Sequence, residues 1–149
     1  MKIELISNSS AETMELGQKI ARLASAGSTF CLTGDLGAGK TTLVRGIAQA
    51  LNIKSVVQSP TFNIMKIYFD GSKPLIHIDA YRLADIDTDI GLDEYIGYET
   101  GITVIEWPMY IKNLLPENSN EINIVNLGDN ARKITITSQD NTLLEGLKK

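Results

Sequence analysis

Residues 34–41 read Gly-Asp-Leu-Gly-Ala-Gly-Lys-Thr and match the pattern G-x-x-x-x-G-K-[ST]. The pattern is typical of a phosphate-binding loop, because its glycines let backbone N–H groups converge on one point and the following helix adds its positive dipole end. The flanking sequence agrees with this. Residues 28–33 form a short apolar run rich in β-forming residues, and a pattern with one apolar helical face begins at Lys40. The stretch therefore predicts a strand, loop and helix that bind ATP and Mg²⁺.

The side chains and amides of this loop have distinct expected roles. Lys40 would place its positive charge between the outer two phosphates, and the Thr41 hydroxyl would reach Mg²⁺. The backbone amides expected to surround the phosphates belong to Gly37, Ala38, Gly39, Lys40, Thr41 and Thr42.

The whole pattern predicts an α/β fold, a single P-loop NTPase-like domain over residues 1–149. The chain has 149 residues, of which 43% are apolar, which suits one globular core. The sheet is expected to be mixed and mostly parallel, with antiparallel hairpin additions and helices on both faces. Strands are predicted over residues 1–6, 28–33, 63–69, 75–81, 102–105, 122–127 and 133–137. Helices are predicted after a Ser9-Ser10-Ala11-Glu12 capping box, from Lys40, over residues 109–115 and at the carboxyl terminus.

The charge of the chain restricts its partners. A net charge of -4 and a pI near 5.0 argue against direct nucleic-acid binding, because phosphate contacts need a basic surface. Between Asp79 and Glu99, acidic residues greatly outnumber the one arginine, Arg82. This segment is expected to be either a solvated acidic loop or a docking face for a basic partner.

The sequence also predicts a cytoplasmic protein without membrane contact. No run approaches the roughly 18 consecutive apolar residues that a membrane span requires, and the amino terminus resembles a strand rather than a signal peptide. Cys31 is the only cysteine and lies in an apolar run. It is predicted to be a small buried hydrophobic residue rather than a reactive thiol, which fits a reducing compartment.

Two carboxylates end predicted strands, and either could hold Mg²⁺ directly or through water: Asp79 after residues 75–78 and Glu106 after residues 102–105. Strand alternation places His77 and Tyr81 on the same face as Asp79, so this polar face is predicted to be functional. A single histidine is nevertheless more often a hydrogen-bonded structural residue than a catalytic one. Arg82 could reach a phosphate or pair with the acidic segment, and the second is the expected role.

Ser59-Pro60-Thr61-Phe62 occupies the region in which many P-loop hydrolases keep a movable threonine that senses the outer phosphate and the ion. On its own, Ser-Pro-Thr is also an ordinary turn.

Four elements in order resemble the TsaE (YjeE) family of bacterial ATPases. They are Gly-Asp-Leu-Gly-Ala-Gly-Lys-Thr-Thr, Ser-Pro-Thr-Phe, His77-x-Asp79-x-Tyr81-Arg82-Leu83 and Ile105-Glu106-Trp107-Pro108. The resemblance implies a small ATPase required for making threonylcarbamoyladenosine, the modified base beside the anticodon of tRNAs that read codons starting with A. It also implies two partners, TsaD, which transfers the threonylcarbamoyl group, and the scaffold protein TsaB. ATP hydrolysis would reset their complex, and tRNA would be held by the partners.

The same resemblance implies roles for individual residues. The magnesium ligands would be Thr41 and Glu106, and Thr61 would be the switch-like residue. Asp79 would be an acid that orients water, either as a catalytic residue or from behind the ligands of the ion. Contacts to the nucleotide would come from Trp107, from Ser9 and Ser10 at the first helix, and from Arg132.

Other classes of P-loop protein fit less well. A GTPase would need Asn-Lys-x-Asp and Asp-x-x-Gly, and neither string occurs in the sequence. A small-molecule kinase would clamp two phosphoryl substrates with arginines of a lid, and no segment of lid length is inserted here. The remaining alternative is a nucleotide-dependent interaction protein, in which ATP binding rather than hydrolysis sets the affinity for a partner.

Overall fold

The computed structural model describes residues 1–34, 39–55, 57, 64–81 and 92–148. Within these ranges seven strands form one sheet in the order β1-β7-β6-β2-β5-β4-β3. The strands are β1 Lys2–Ser7, β2 Thr29–Gly34, β3 Met65–Tyr68, β4 Leu75–Asp79, β5 Ile102–Glu106, β6 Asn120–Gly128 and β7 Ala131–Thr137. The α-helices are α1 Ser10–Leu23, α2 Lys40–Ala50 and α3 Asn141–Lys148, and 3₁₀ helices span Leu92–Glu94 and Pro108–Leu114.

The middle of the sheet is parallel and its borders are antiparallel. Strand β2 pairs in parallel with β5 and β6, and β5 in parallel with β4. The antiparallel pairs are β3 with β4, β6 with β7 and β1 with β7. The predicted mixed sheet with hairpin additions is therefore confirmed. Parallel pairing brings the carboxyl ends of β2, β4 and β5 to one edge of the sheet, where α/β proteins commonly bind ligands.

The predicted hairpin between β3 and β4 turns next to the end of α2. A Cβ atom at Gly71 would collide with the carbonyl oxygen of Leu51, so this position requires glycine. The Asp70 carboxylate accepts hydrogen bonds from the backbone N–H groups of Lys54 and Ser55, at 3.0 and 3.1 Å. These contacts fasten the hairpin to the segment that follows α2.

Helices cover both faces of the sheet, as predicted, but unequally. The three α-helices share one apolar core with the sheet, whereas Leu92 and Ile111 of the 3₁₀ helices pack against Ile76, Ile78 and Ile105 on the other side. On the α-helical side, α1 and α2 approach each other at two glycines. A Cβ atom at Gly17 would strike the Leu43 carbonyl oxygen, and one at Gly46 would strike that of Met14.

Two local details differ from the sequence-based expectation. The helix expected over residues 109–115 is a 3₁₀ helix, Pro108–Leu114, interrupted at Ile111, whose φ of -134° is not helical. At α1, the Ser9 side chain accepts from the Glu12 N–H as predicted, but the Glu12 carboxylate accepts from the N–H of Asn8 instead of Ser9. Among the helices of the described ranges, none is long and apolar enough to cross a lipid bilayer.

Candidate functional site

The predicted phosphate loop joins the carboxyl end of β2 to the start of α2. Gly39 caps α2 with a φ of 106°, a left-handed conformation that glycine adopts without strain. Lys40, Thr41 and Thr42 then form the first turn of α2, with Lys40 buried and both threonines half-buried. The helix therefore directs its amino-terminal N–H groups and its positive dipole end towards the edge at which β2, β4 and β5 end.

Lys40 contacts two residues at the end of β5. Its Nζ atom lies 3.8 Å from Glu106 Oε1 and 4.8 Å from the centre of the Trp107 ring. Only 8% of Lys40 and 4% of Glu106 is exposed, so the ion pair is shielded from water. A buried pair of this kind is sustained by close geometry and by further hydrogen bonds to its members.

The further hydrogen bond comes from His77 in β4. Its Nε2 atom lies 2.7 Å from Glu106 Oε2, and the histidine is fully buried. A carboxylate paired with a lysine can only accept, so Nε2 carries the hydrogen and donates it. In the part of the chain that the structure describes, His77 Nδ1 has no hydrogen-bond partner. The sequence placed His77 on the functional face but did not indicate its contact with Glu106.

The two competing carboxylates lie side by side. Asp79 and Glu106 are register partners at the ends of β4 and β5, so their side chains leave the sheet on the same face. Asp79 is only half-buried, and its Oδ1 atom accepts a hydrogen bond from the N–H of Tyr81 at 3.0 Å. Glu106 is the one that is buried and paired with Lys40, which favours it as the acid closest to the phosphate loop.

Trp107 is held in an unusual backbone conformation beside the site. Its φ and ψ of 58° and 51° are left-handed, which costs energy for a residue other than glycine and occurs often at functional sites. Its ring lies 5.2 Å from that of Tyr81 and stacks at 6.4 Å on that of Tyr110. The sequence pointed to Trp107 but gave no sign of this aromatic group, because Tyr110 belongs to the irregular 3₁₀ helix.

Arg132 and the start of α1, both expected to contact the nucleotide, lie beside Gly39. Arg132 Nε lies 3.8 Å from where a Cβ atom of Gly39 would be, and the Thr13 methyl group lies at 4.0 Å. Arg132 Nη1 donates to Asn126 Oδ1 at 2.9 Å. Ser10 is the exposed first residue of α1, in the same turn as Thr13. The structure thus brings the start of α1 and Arg132 to the beginning of α2.

Several predicted residues lie outside the described ranges. They are Gly37, Ala38, Thr61, Arg82 and most of the acidic segment, residues 82–91.

The residues predicted for Mg²⁺, Thr41 and Glu106, supply a hydroxyl and carboxylate oxygens, which are the hard ligands that this ion prefers. Among the residues that can be described, no three histidine, cysteine or acidic side chains cluster as a metal site. This donor set fits Mg²⁺, which usually takes one or two protein ligands and completes its shell with water and substrate phosphates.

Comparisons with known proteins point in one direction. A family model described as "Threonylcarbamoyl adenosine biosynthesis protein TsaE" matches residues 7–134. Proteins named "tRNA threonylcarbamoyladenosine biosynthesis protein TsaE" are similar to this chain. The Bacillus subtilis protein is 44% identical over 87% of this chain and 82% of its own length. The Treponema pallidum protein is 40% identical over 88% of this chain and 97% of its own length. Among solved structures, Bacillus subtilis YdiB superimposes with a TM-score of 0.84 and 35% identity, covering 99% of this chain and 95% of that one.

Proposed function

We propose, from the premise that this chain belongs to the TsaE family, that it is the ATP-binding and ATP-hydrolysing subunit of tRNA threonylcarbamoyladenosine biosynthesis. It would act in the cytoplasm with TsaD and TsaB and reset their complex after each cycle. The family membership confirms the resemblance inferred from the four sequence elements. The ATPase activity, the cofactors and the partners are our proposal.

The observation that carries the proposal is the buried contact between Lys40 and Glu106 at the mouth of the phosphate loop. A lysine at the start of α2 and an acid at the end of β5, the strand next to β2, are the charges that a nucleotide with its magnesium ion needs on opposite sides. Lys40 would exchange Glu106 for the outer phosphates, and Glu106 together with Thr41 would hold the ion. Bound Mg²⁺ would neutralise the negative charge that the phosphate oxygens carry.

The remaining residues would orient rather than bind. Asp79 and Thr61 would position the attacking water, and Trp107, Ser10 and Arg132 would flank the nucleotide. Asp79 is suited to this role because its carboxylate is half-exposed next to Glu106. Hydrolysis by the isolated chain is expected to be slow, because the sequence offers no evident arginine finger.

The partners are proposed on charge and family grounds. A chain with a net charge of -4 is poorly suited to holding tRNA itself. TsaD and TsaB would therefore carry the tRNA, and this chain would contact it only through them.

Phosphate release measured with the chain alone, and then with TsaD and TsaB added, tests the proposal. Stimulation on the order of 10-fold or more is expected if the partners complete the site. ATP-dependent binding to the partners without phosphate release would instead identify a nucleotide-dependent interaction protein. Partner-independent transfer of phosphate to a small acceptor would identify a kinase.

A further inference from the structure

We infer that His77 is a positioning residue that holds the Glu106 carboxylate in one orientation while the partner of its other oxygen changes from Lys40 to Mg²⁺. The inference rests on the proposed function and extends it to a residue that the ATPase mechanism does not otherwise use. His77 itself would touch neither the nucleotide nor the ion.

The two oxygens of Glu106 are held very differently. Oε2 is 2.7 Å from His77 Nε2, a short hydrogen bond to a charged acceptor, whereas Oε1 is 3.8 Å from Lys40 Nζ. The firm contact is with a residue embedded in β4, and the loose contact is with the end of a long flexible side chain. Lys40 can therefore leave Oε1 without releasing the carboxylate from the position set by Oε2.

The burial of His77 shows that packing alone does not account for an imidazole at this position. The side chain is 0% exposed, and within the described ranges its Nδ1 atom is unpartnered. Burying an unpaired polar atom costs free energy, so an apolar residue would fill this position in the sheet at lower cost. What an apolar residue does not supply is the N–H group that Glu106 accepts.

The position in the sheet explains why the donor must come from β4. His77 pairs in register with Val104 and lies two residues before Asp79, whose register partner is Glu106. Side chains two residues apart share a face, so the imidazole reaches along the sheet surface to the carboxylate on the neighbouring strand. Two strands with parallel hydrogen bonding thus fix both ends of the contact.

A pair of amide substitutions isolates the proposed contact. In His77→Gln the amide nitrogen occupies approximately the position of Nε2, whereas in His77→Asn it reaches only that of Nδ1, so the two variants differ by one methylene group in reach. With ADP saturating, free Mn²⁺ is measured by electron paramagnetic resonance. His77→Asn is expected to raise the Mn²⁺ dissociation constant by about 10-fold, and His77→Gln by less than about threefold, because partners of a metal ligand typically contribute at this level.

Two controls separate positioning from general damage. Asn120→Ala removes a buried polar side chain from β6, two strands away from the strand of Glu106, and should leave Mn²⁺ affinity unchanged. ADP affinity in the presence of a chelator should change less than about twofold in all three variants. Equal Mn²⁺ affinity in wild type and His77→Asn, equal weakening by Gln and Asn, or a matching loss of metal-free ADP affinity would each overturn the inference.

A measurement on the unaltered protein keeps the test independent of how the variants fold. His77 is the only histidine, so its two ring nitrogens give unambiguous ¹⁵N resonances. We expect Nε2 to carry the hydrogen both without ligand and with Mg²⁺ and ADP, and a hydrogen on Nδ1 alone would overturn the role of His77. A wild-type chain that binds neither ADP nor Mn²⁺ would instead overturn the proposed function.

Discussion

Two buried polar clusters are separated across the same sheet, one on β4 and β5 and the other on β2 and β6. The carboxyl-edge cluster consists of Lys40, His77 and Glu106, where β4 and β5 end. The amino-edge cluster consists of Thr29, Asn120 and Ser138, where β2 and β6 begin. In the amino-edge cluster, Asn120 Nδ2 donates to the Thr29 carbonyl oxygen at 3.1 Å, and the Ser138 hydroxyl donates to Asn120 Oδ1.

The difference between the clusters is charge. Each contains a buried atom without a partner in the described structure, Thr29 Oγ1 in one and His77 Nδ1 in the other, so unpaired atoms do not distinguish them. Only the carboxyl-edge cluster buries ionised groups, which are costly to desolvate and are often found where a ligand is bound. The amino-edge cluster joins neutral groups and connects strand ends to the start of α3, where Ser138 Oγ accepts from the N–H of Asp140.

The largest effect that separates the clusters is expected from Lys40→Ala. The substitution removes the one positively charged side chain of residues 34–41, which would contact the outer phosphates. The rate of phosphate release or the affinity for ATP should therefore fall by about 100-fold to about 1,000-fold. Isothermal titration with ATP and a phosphate-release assay measure the two quantities.

The matched control is Lys66→Ala. Lys66 also lies over an aromatic ring, with Nζ 5.2 Å from the centre of Tyr68, but it is exposed on the edge strand β3. Its removal should leave ATP affinity within about twofold of wild type. A Lys40→Ala chain with wild-type affinity and turnover would contradict the assignment of the carboxyl-edge cluster as the nucleotide site.

The second effect concerns Cys31, on the strand β2 that runs between the two edges. The cysteine is buried, as the sequence predicted. Desolvation is the main cause that raises its thiol pKa from 9.0 to about 11; the Glu121 carboxylate adds to the effect and a hydrogen bond with Ser119 opposes it. Since the thiolate is the reactive form, alkylation by iodoacetamide at pH 8 should be about 100-fold slower in the native chain than in urea.

The native rate should rise about tenfold per pH unit above pH 8, because the thiolate fraction does so below the pKa. A native alkylation rate within tenfold of the unfolded rate at pH 8 would contradict this prediction. It would show that β2 separates readily from its neighbouring strands and exposes Cys31 to solvent.

How much of this arrangement the sequence predicts depends on the range of the interactions. The strand, loop and helix around Lys40 follow from a local pattern, and so does the hairpin at Asp70 and Gly71. The contact between His77 and Glu106 forms only if β4 pairs with β5 in one particular register. The two residues are 29 positions apart in the sequence, so no local pattern determines that register. No local pattern predicts the left-handed backbone of Trp107, because that conformation normally favours glycine. The aromatic group around it therefore could not be foreseen.

The third effect tests which of the two carboxylates, Glu106 or Asp79, binds the metal ion. Glu106→Ala should weaken Mn²⁺ binding in the presence of ADP about 10-fold more than Asp79→Ala does, because Glu106 is the buried acid paired with Lys40. Asp79→Ala should mainly lower turnover, with a smaller loss of binding. Manganese titration of both variants measures the difference, and the reverse order would reject the assignment.

The smallest effect on the nucleotide site is expected from the amino-edge cluster. Asn120→Ala leaves the Ser138 hydroxyl and the Thr29 carbonyl without their buried partner, so the free energy of unfolding should fall by about 2 kcal/mol.

Asn123→Ala is the matched control, since Asn123 is exposed on the same strand β6, and it should lower the free energy of unfolding by less than about 0.5 kcal/mol. Urea unfolding followed by circular dichroism measures both. ATP and Mn²⁺ affinities of the folded Asn120→Ala chain should stay within about twofold of wild type, because β6 lies two strands away from β5. A larger loss of affinity would mean that the two clusters are energetically coupled, and charge alone would then not separate them.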